Sequence, residues 1–220
     1  MTAIRAGSRR ALAVLTLAGA VVAAPGAFAA RINVTVVTAA GAPVADVAVV
    51  AEPLNGQAPH KRTHARIEQR DREFEPYLTI VQKDTAVEFP NRDKIKHHVY
   101  SFSPAKMFEL KLYSGKPAAP VLFDKTGAVA LGCNIHDWME AHVLVVDTPW
   151  FGKTGDDGAV ALRDLPAGQY RLRVWHPRQR AEVAAESIEL TTKGTLQRSI
   201  VIEVAERVHR PRSAIGSDEY

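Results

Sequence analysis

Short segments in which apolar and polar residues alternate, separated by turn-forming residues, run through almost the whole chain after residue 30. Residues 32–37 and 108–113 show most plainly the period of two that marks a half-buried strand. No long stretch after residue 30 has the 3.6-residue period of a helix. Many short strands with frequent turns predict an all-β protein built from β-sandwiches. Strands are predicted at residues 32–37, 44–51, 77–81, 85–89, 99–102, 108–113, 128–132, 142–146, 159–163, 170–175, 187–190 and 199–204.

The first 30 residues have the three parts of a secretory signal peptide. Arginines at positions 5, 9 and 10 precede an uncharged apolar run over residues 11–24, and Ala27-Phe28-Ala29 has the small-x-small cleavage pattern. We therefore expect a cleaved signal over residues 1–30, a periplasmic location and no stable membrane span. An uncleaved anchor is the alternative, but the run is short and Pro25 interrupts it. Ser8-Arg9-Arg10 is only part of a twin-arginine pattern, so the export route stays open.

The charge balance argues against nucleic acid as a partner. The chain has 28 basic and 24 acidic residues, and three of the arginines lie in the predicted signal, so the exported chain is close to neutral. No basic stripe with interleaved aromatic residues is present.

Cys133 is the only cysteine in the chain. Exported proteins usually pair their cysteines, and here no intrachain disulfide can form. The thiol is then a buried small hydrophobe, a partner in an intermolecular bridge, a reactive group or a metal ligand.

The residues after Cys133 favour the metal ligand. His136 and Met139 follow it at three-residue intervals, which places a thiolate, an imidazole and a thioether in one tight loop. A set of two histidines and a cysteine with a weak axial methionine is typical of copper electron-transfer sites. The second histidine would be His97 or His98, at the start of a predicted strand. A packed corner of core residues is the alternative interpretation of this loop.

Residues 66–147 resemble the cupredoxins. The spacing of two residues from cysteine to histidine, and two more to methionine, resembles that of the amicyanins. Upstream, residues 91–99 resemble the family's segment of Asn, five residues and His, and residues 85–89 resemble the strand before it. Residues 123–129 resemble the turn and strand that lead into the ligand cysteine. Matching motifs at separate places are more specific than one short pattern.

The resemblance implies a Greek-key sandwich that holds one type 1 copper ion. His97, Cys133 and His136 would be its strong ligands and Met139 its weak axial ligand. At position 98 the family often has an asparagine that braces the ligand loop. His98 would therefore replace that brace or be the ligand itself, and we favour His97.

The resemblance also implies a function in one-electron transfer. Cupredoxins of the amicyanin type exchange electrons with redox proteins such as a c-type cytochrome or a dehydrogenase. The pattern is similar to that of proteins labelled as methylamine utilization proteins, but nothing else in this chain points to an amine. Four protein ligands would leave no open position for a substrate, so we expect no enzymatic activity.

The segments on both sides of the predicted copper domain resemble the two parts of one carboxypeptidase-regulatory-like, transthyretin-type β-sandwich. Residues 31–60 resemble its opening, and residues 148–206 resemble its second half, with a Thr-x-Asp-Asp-Gly turn and then Leu-Pro-Ala-Gly-Gln-Tyr. We predict that a cupredoxin domain over residues 61–147 is inserted in this sandwich, because each part alone has too few strands to bury a face. Residues 207–220 are predicted to be a disordered tail.

Two other functions stay open. One is periplasmic copper carriage. The other is a carbohydrate- or protein-binding β-sandwich with a vestigial copper site, since the flanking sandwich resembles carbohydrate-binding-like folds and Trp150, Trp175 and His176 could form an aromatic platform.

Tyr170 is expected to brace a corner through its hydroxyl group, and Asp156-Asp157 to form a tight turn. His142 is predicted to be a surface residue or a support of the site, and the remaining histidines to face solvent: His60, His64, His176 and His209.

Overall fold

A computed structural model describes residues 29–60, 63–117 and 119–206, and none of these residues lies in a helix. The predicted all-β class is therefore confirmed. The predicted signal peptide and tail lie outside the described residues, apart from the start of β1. Within the described residues there is no helix long and apolar enough to cross a membrane.

Seventeen strands follow one another along the described chain. Their bounds are β1 Ala30–Val37, β2 Ala48–Pro53, β3 His64–Arg66, β4 Glu68–Arg70, β5 Glu73–Glu75, β6 Leu78–Gln82, β7 Thr85–Glu88, β8 His97–Ser103, β9 Lys106–Tyr113, β10 Val121–Phe123, β11 Gly127–Gly132, β12 Glu140–Val146, β13 Phe151–Lys153, β14 Ala159–Leu165, β15 Gly168–Trp175, β16 Glu186–Leu190 and β17 Thr195–Val201.

The first and last strands of the chain build one sandwich. Its two sheets have the strand orders β14-β1-β17 and β13-β2-β15-β16. The alternation of β1 explains the arrangement, because Ile32, Val34 and Val36 are buried in the core between the sheets. Tyr170 contributes to the same core and donates its hydroxyl hydrogen to the carbonyl oxygen of Pro166 at 2.9 Å. The expected corner is therefore present.

The middle strands build a second sandwich. One sheet has the order β6-β12-β11-β8-β9 and the other β10-β7-β3, with the small hairpin β4-β5 beside them. From β9 the chain crosses to the other sheet as β10 and returns as β11 next to β8, which is a Greek-key connection. The core of this sandwich is built around Phe89, Val99 and Phe123, all completely buried.

The strand pairing of the first sandwich joins segments that are far apart in sequence. β2 pairs with β13 and β15, although residues 54–150 lie between β2 and β13. Strands β3 to β12 pair only among themselves within the described chain. The two sandwiches meet at a third apolar cluster, to which β2 contributes Val50 and β12 contributes Leu144 and Val146. The exact domain boundaries remain a prediction.

Some local predictions need correction. Residues 44–51 were expected as one strand, but β2 spans Ala48–Pro53, because Asp46 has a positive φ of 56° that interrupts the extended backbone. Five strands were also not predicted, because each is only three residues long and too short to establish an alternation of apolar and polar residues: β3, β4, β5, β10 and β13. Asp157 does close a tight turn, since its carboxylate accepts the amide hydrogen of Ala159 at 3.0 Å.

Candidate metal centre

Strand β8 brings His97 into the core of the second sandwich. Asn91 shapes the approach to β8, because its side-chain amide donates to the carbonyl oxygens of Ile95 at 2.8 Å and Tyr113 at 2.9 Å. The β8-β9 register shifts between His97 and Val99, so that two residues of β9 lie opposite His98. The His97 side chain is completely buried and points inward.

The loop over residues 133–139 connects the paired strands β11 and β12 and carries the other predicted ligands. Cys133 directly follows β11 and is 3% exposed, and His136 is 5% exposed. A tight turn closes the loop, because the amide of Met139 donates to the carbonyl oxygen of His136 at 3.0 Å. Met139 is buried in the same apolar cluster as Cys133.

Three side chains that can hold a metal ion converge at this point. The donor atoms of His97, Cys133 and His136 all lie within 4.8 Å of one another, and all three residues are buried. The distance from Cys133 Sγ to His136 Nδ1 is 3.9 Å. The two imidazole rings are 4.9 Å apart between centroids. This is the only such group among the residues that the structure describes.

The surroundings of Cys133 lower the pKa of its thiol. Burial opposes ionisation, but the polar contact with His97 and hydrogen bonds from the backbone amides outweigh it, so the pKa of the thiol is lowered. Those amides belong to His98, Ile135 and His136. Because the thiolate is the form that binds metals, this environment favours a cysteine ligand.

The two imidazoles differ in their electrostatic surroundings. Burial lowers the pKa of His136, and the nearby positive charges of His97 and Arg72 lower it further. Burial also opposes protonation of His97, but contacts with Cys133 and Asp93 outweigh burial and raise its pKa. A neutral imidazole is the metal-binding form, so the surroundings of His136 favour metal binding, whereas those of His97 favour its protonated form.

The donor set fits a copper ion. Nε2 of His97 bonds to Asp93, whereas Nδ1 is buried and has no hydrogen-bond partner among the described residues. A buried polar atom without a partner is costly, and the His97 ring lies beside the Cys133 thiol. One cysteine sulfur and two imidazoles form a set of the kind that soft copper prefers, and Met139 belongs to the same apolar cluster as Cys133.

Asp93 was not predicted from the sequence, although it holds His97 in place. Its Oδ2 accepts a hydrogen bond from Nε2 of His97 at 2.7 Å. The carboxylate also accepts the backbone amide hydrogens of Asp71 at 2.7 Å and Arg72 at 2.9 Å. Trp138 of the ligand loop bonds to the same turn. The spacing of four residues between Asp93 and His97 was the only sequence signal for this contact.

Other predicted functional residues lie elsewhere. His98 points away from the site, with Nε2 2.9 Å from Oε1 of Glu109. His142 is partly buried between the two sandwiches, with its ring 5.2 Å from that of Tyr77 and 6.3 Å from that of Trp175.

The expected solvent exposure of His176 is wrong, because the residue is 2% exposed. It therefore cannot contribute to a surface platform for a sugar ring. Trp150 packs edge-on against Tyr170 at a centroid distance of 5.6 Å, and it belongs to a different apolar cluster from Trp175. His60 and His64 are exposed as predicted, and His209 lies outside the described residues.

Several solved cupredoxin structures are similar to this chain at low identity. A purple cupredoxin from Nitrosopumilus maritimus is 19% identical with a TM-score of 0.34, and the match covers 37% of this chain and 99% of that one. A reduced amicyanin variant is 20% identical with a TM-score of 0.34, covering 37% of this chain and 81% of that one. A Sinorhizobium pseudoazurin is 19% identical with a TM-score of 0.32, covering 40% and 76%. At such TM-scores the likeness supports no conclusion about the site. No protein-family model and no curated protein matches the chain.

Proposed function

We propose that the protein is an exported type 1 copper protein that carries single electrons between redox partners. The observation that carries this proposal is the convergence of His97, Cys133 and His136 within 4.8 Å in a buried position. Bound copper would supply a reversible one-electron couple.

The chain's own residues would define the properties of this centre. Cys133 would bind as a thiolate and His97 through Nδ1, because Nε2 of His97 is already bonded to Asp93. We propose Met139 as the weak axial ligand, since it is 1% exposed and belongs to the same apolar cluster as Cys133. This cluster would exclude water from the metal and so affect its potential.

His136 is the proposed route by which electrons leave. It lies in the loop beside Ile135, which is 39% exposed. A small exposed apolar surface next to a metal ligand suits brief contact with a redox protein such as a c-type cytochrome or a dehydrogenase. We propose an electron carrier and not an enzyme, because four protein ligands would leave no position for a substrate.

We also propose the domain organisation that the strand pairing supports. Residues 1–30 would be a cleaved signal peptide that directs the chain to the periplasm. Residues 31–60 and 148–206 would form one sandwich, and residues 61–147 the copper domain. The support is that β2 and β13 pair across the whole middle segment.

Visible absorption and electron paramagnetic resonance (EPR) of residues 31–220 loaded with Cu(II) would test the function. We expect an intense thiolate-to-copper band with narrow hyperfine splitting, which Cys133→Ser abolishes. Cyclic voltammetry should then show reversible one-electron oxidation and reduction. A protein that binds no copper would contradict the proposal. Tight Cu(I) binding without reversible oxidation would favour copper carriage instead.

A further inference from the structure

The hairpin β4-β5 ends in a turn with an unusual backbone. Its two central residues, Asp71 and Arg72, have positive φ angles of 53° and 59°. Positive φ at both positions is the signature of a type I′ turn, which matches the twist of a tight hairpin. Asn-Gly is the preferred sequence for such a turn, so the pair Asp-Arg adopts this conformation at a cost.

One half of the candidate metal centre is attached to the amide groups of this turn. The backbone N–H groups of Asp71 and Arg72 donate to the two carboxylate oxygens of Asp93 at 2.7 and 2.9 Å. The Asp93 side chain is 14% exposed, and its Oδ2 also accepts Nε2–H of His97 at 2.7 Å. A carboxylate held by two amides cannot rotate freely. It therefore fixes both the ring orientation and the tautomer of His97.

The other half of the centre is attached to the carbonyl group of the same turn. The indole Nε1–H of Trp138 donates to the carbonyl oxygen of Arg72 at 3.1 Å. Trp138 lies in the ligand loop, and its ring is 5.2 Å from that of His136. The turn is therefore bonded to two segments that are far apart in sequence, one carrying His97 and the other carrying Cys133 and His136.

We propose that the two-residue turn Asp71–Arg72 is the positioning element of the metal centre, and that it orients His97 through Asp93 and the ligand loop through Trp138. This inference rests on the proposed function. The turn acts through its backbone groups, which bond to Asp93 and Trp138. Its effect is to hold both ligand segments in their binding arrangement before a metal arrives, which lowers the ordering cost of binding.

The first test removes one hydrogen bond from each side. Trp138→Phe keeps an aromatic ring but loses the indole N–H. Asp93→Asn leaves one acceptor oxygen where the carboxylate has two. We expect each variant to bind copper about 10- to 100-fold more weakly, as is usual when the partner of a metal ligand is lost. We also expect the EPR hyperfine splitting of each copper-loaded variant to change, which a general loss of stability would not cause.

The chain offers a matched control for each variant. Trp150 donates its indole N–H to the carbonyl oxygen of Asp164, also at 3.1 Å, but in the other sandwich. Asp124 bonds to Lys106 at the surface. Trp150→Phe and Asp124→Asn should leave the copper affinity and the EPR spectrum unchanged. If Trp138→Phe and Asp93→Asn also leave the copper affinity and the EPR spectrum unchanged, the proposal is wrong.

The double variant tests whether both contacts act through one turn. If they do, Asp93→Asn combined with Trp138→Phe should lose less affinity than the product of the two single losses. A fully multiplicative loss would show that the contacts act independently and would overturn the proposal.

Replacing the turn residues tests whether the turn acts through its backbone groups or through its side chains. Asp71→Asn with Arg72→Lys changes both side chains but keeps the amides, the carbonyl and the positive charge near His136, so the copper spectrum should be unchanged. A changed spectrum would show that the side chains matter and would contradict a backbone role.

Measurements on the metal-free protein test the positioning role independently of the proposed copper function. In the copper-free protein, nitrogen chemical shifts should show that His97 carries its proton on Nε2. Amide exchange over residues 133–139 should become at least about tenfold faster in Trp138→Phe. If both results appear in a protein that forms no blue copper site, only the proposed function fails. If His97 lacks this tautomer and amide exchange is unchanged, the positioning role fails.

Discussion

His97 and His98 are consecutive residues of β8, and their imidazole rings point to opposite sides of the strand. His97 is completely buried beside Cys133, and its Nε2 bonds to Asp93 at 2.7 Å. His98 bonds to Glu109 at 2.9 Å and packs against Tyr100. Only His97 is therefore placed to bind a metal together with Cys133.

Substituting each histidine in turn should distinguish their roles. His97→Gln removes a ligand nitrogen from the buried centre, so we expect the blue absorption band to be lost. His98→Gln removes the contact with Glu109 and the ring contact with Tyr100 but no proposed ligand, so the band and its hyperfine splitting should persist. Visible and EPR spectra of both variants at equal protein and copper concentrations provide the measurement. Loss of the band in His98→Gln alone would show that the ligand assignment is reversed.

The sequence indicates the ligand loop well because the relevant residues are close together. Cys133, His136 and Met139 lie within seven residues, and the type of each side chain suggests its chemistry. Strand alternation alone does not decide between His97 and His98, because it places one of them inward without saying which. The register shift that accompanies β8 depends on pairing with β9, which is not visible in a single sequence.

The hydrogen bonds that position the site could not be predicted from the sequence, for a different reason. Trp138 bonds to a residue 66 positions earlier, and Asp93 to residues 21 and 22 positions earlier. These contacts depend on the hairpin β4-β5, whose three-residue strands are too short to establish an alternation of apolar and polar residues. Two sandwiches could be predicted from the sequence, because turn and strand motifs on both sides of the middle segment resemble halves of one fold.

Gly132 has no room for a side chain, and it directly precedes Cys133. A Cβ atom at this position would lie 2.9 Å from Cζ and from the hydroxyl oxygen of Tyr100. We expect Gly132→Ala to push the Tyr100 ring away, to destabilise the protein by about 1–3 kcal/mol and to shift the copper absorption band. Urea unfolding and visible spectra of the copper-loaded protein would measure these effects. Adding Tyr100→Ala makes room and should restore the band position, whereas an unrestored band would argue against this steric cause.

Leu144 packs between the two sandwiches on the side of β12 that faces away from the metal centre. It is 3% exposed and contacts the cluster that contains Val50 and Leu78. Leu144→Ala should lower the free energy of unfolding by about 2–5 kcal/mol without changing the copper spectrum. The exposed Leu122, at 46%, is the matched control, and Leu122→Ala should cost no more than about 0.5 kcal/mol. Equal effects of the two substitutions would contradict a packed contact between the sandwiches.

His176 should make the stability of the protein depend on pH. It is 2% exposed, and burial together with the charge of Arg178 lowers its pKa to about 4. An unfolded histidine has a pKa of about 6.5. Between these values the unfolded chain binds a proton that the folded chain does not, so the free energy of unfolding rises with pH. This contribution is complete above about pH 6.5, and about 3 kcal/mol should be lost as the pH falls towards 4.

His176→Asn isolates this effect from other titrating groups. The asparagine oxygen can replace Nδ1 of His176, which accepts the amide hydrogen of Arg178 at 3.1 Å, but asparagine does not titrate. Urea unfolding of both proteins should be followed between pH 4 and 7. The stability of the parent relative to the variant should fall by about 3 kcal/mol over this range. Parallel pH profiles would show that the histidine ring is protonated as readily in the folded chain as in the unfolded one, and that its burial does not control its charge.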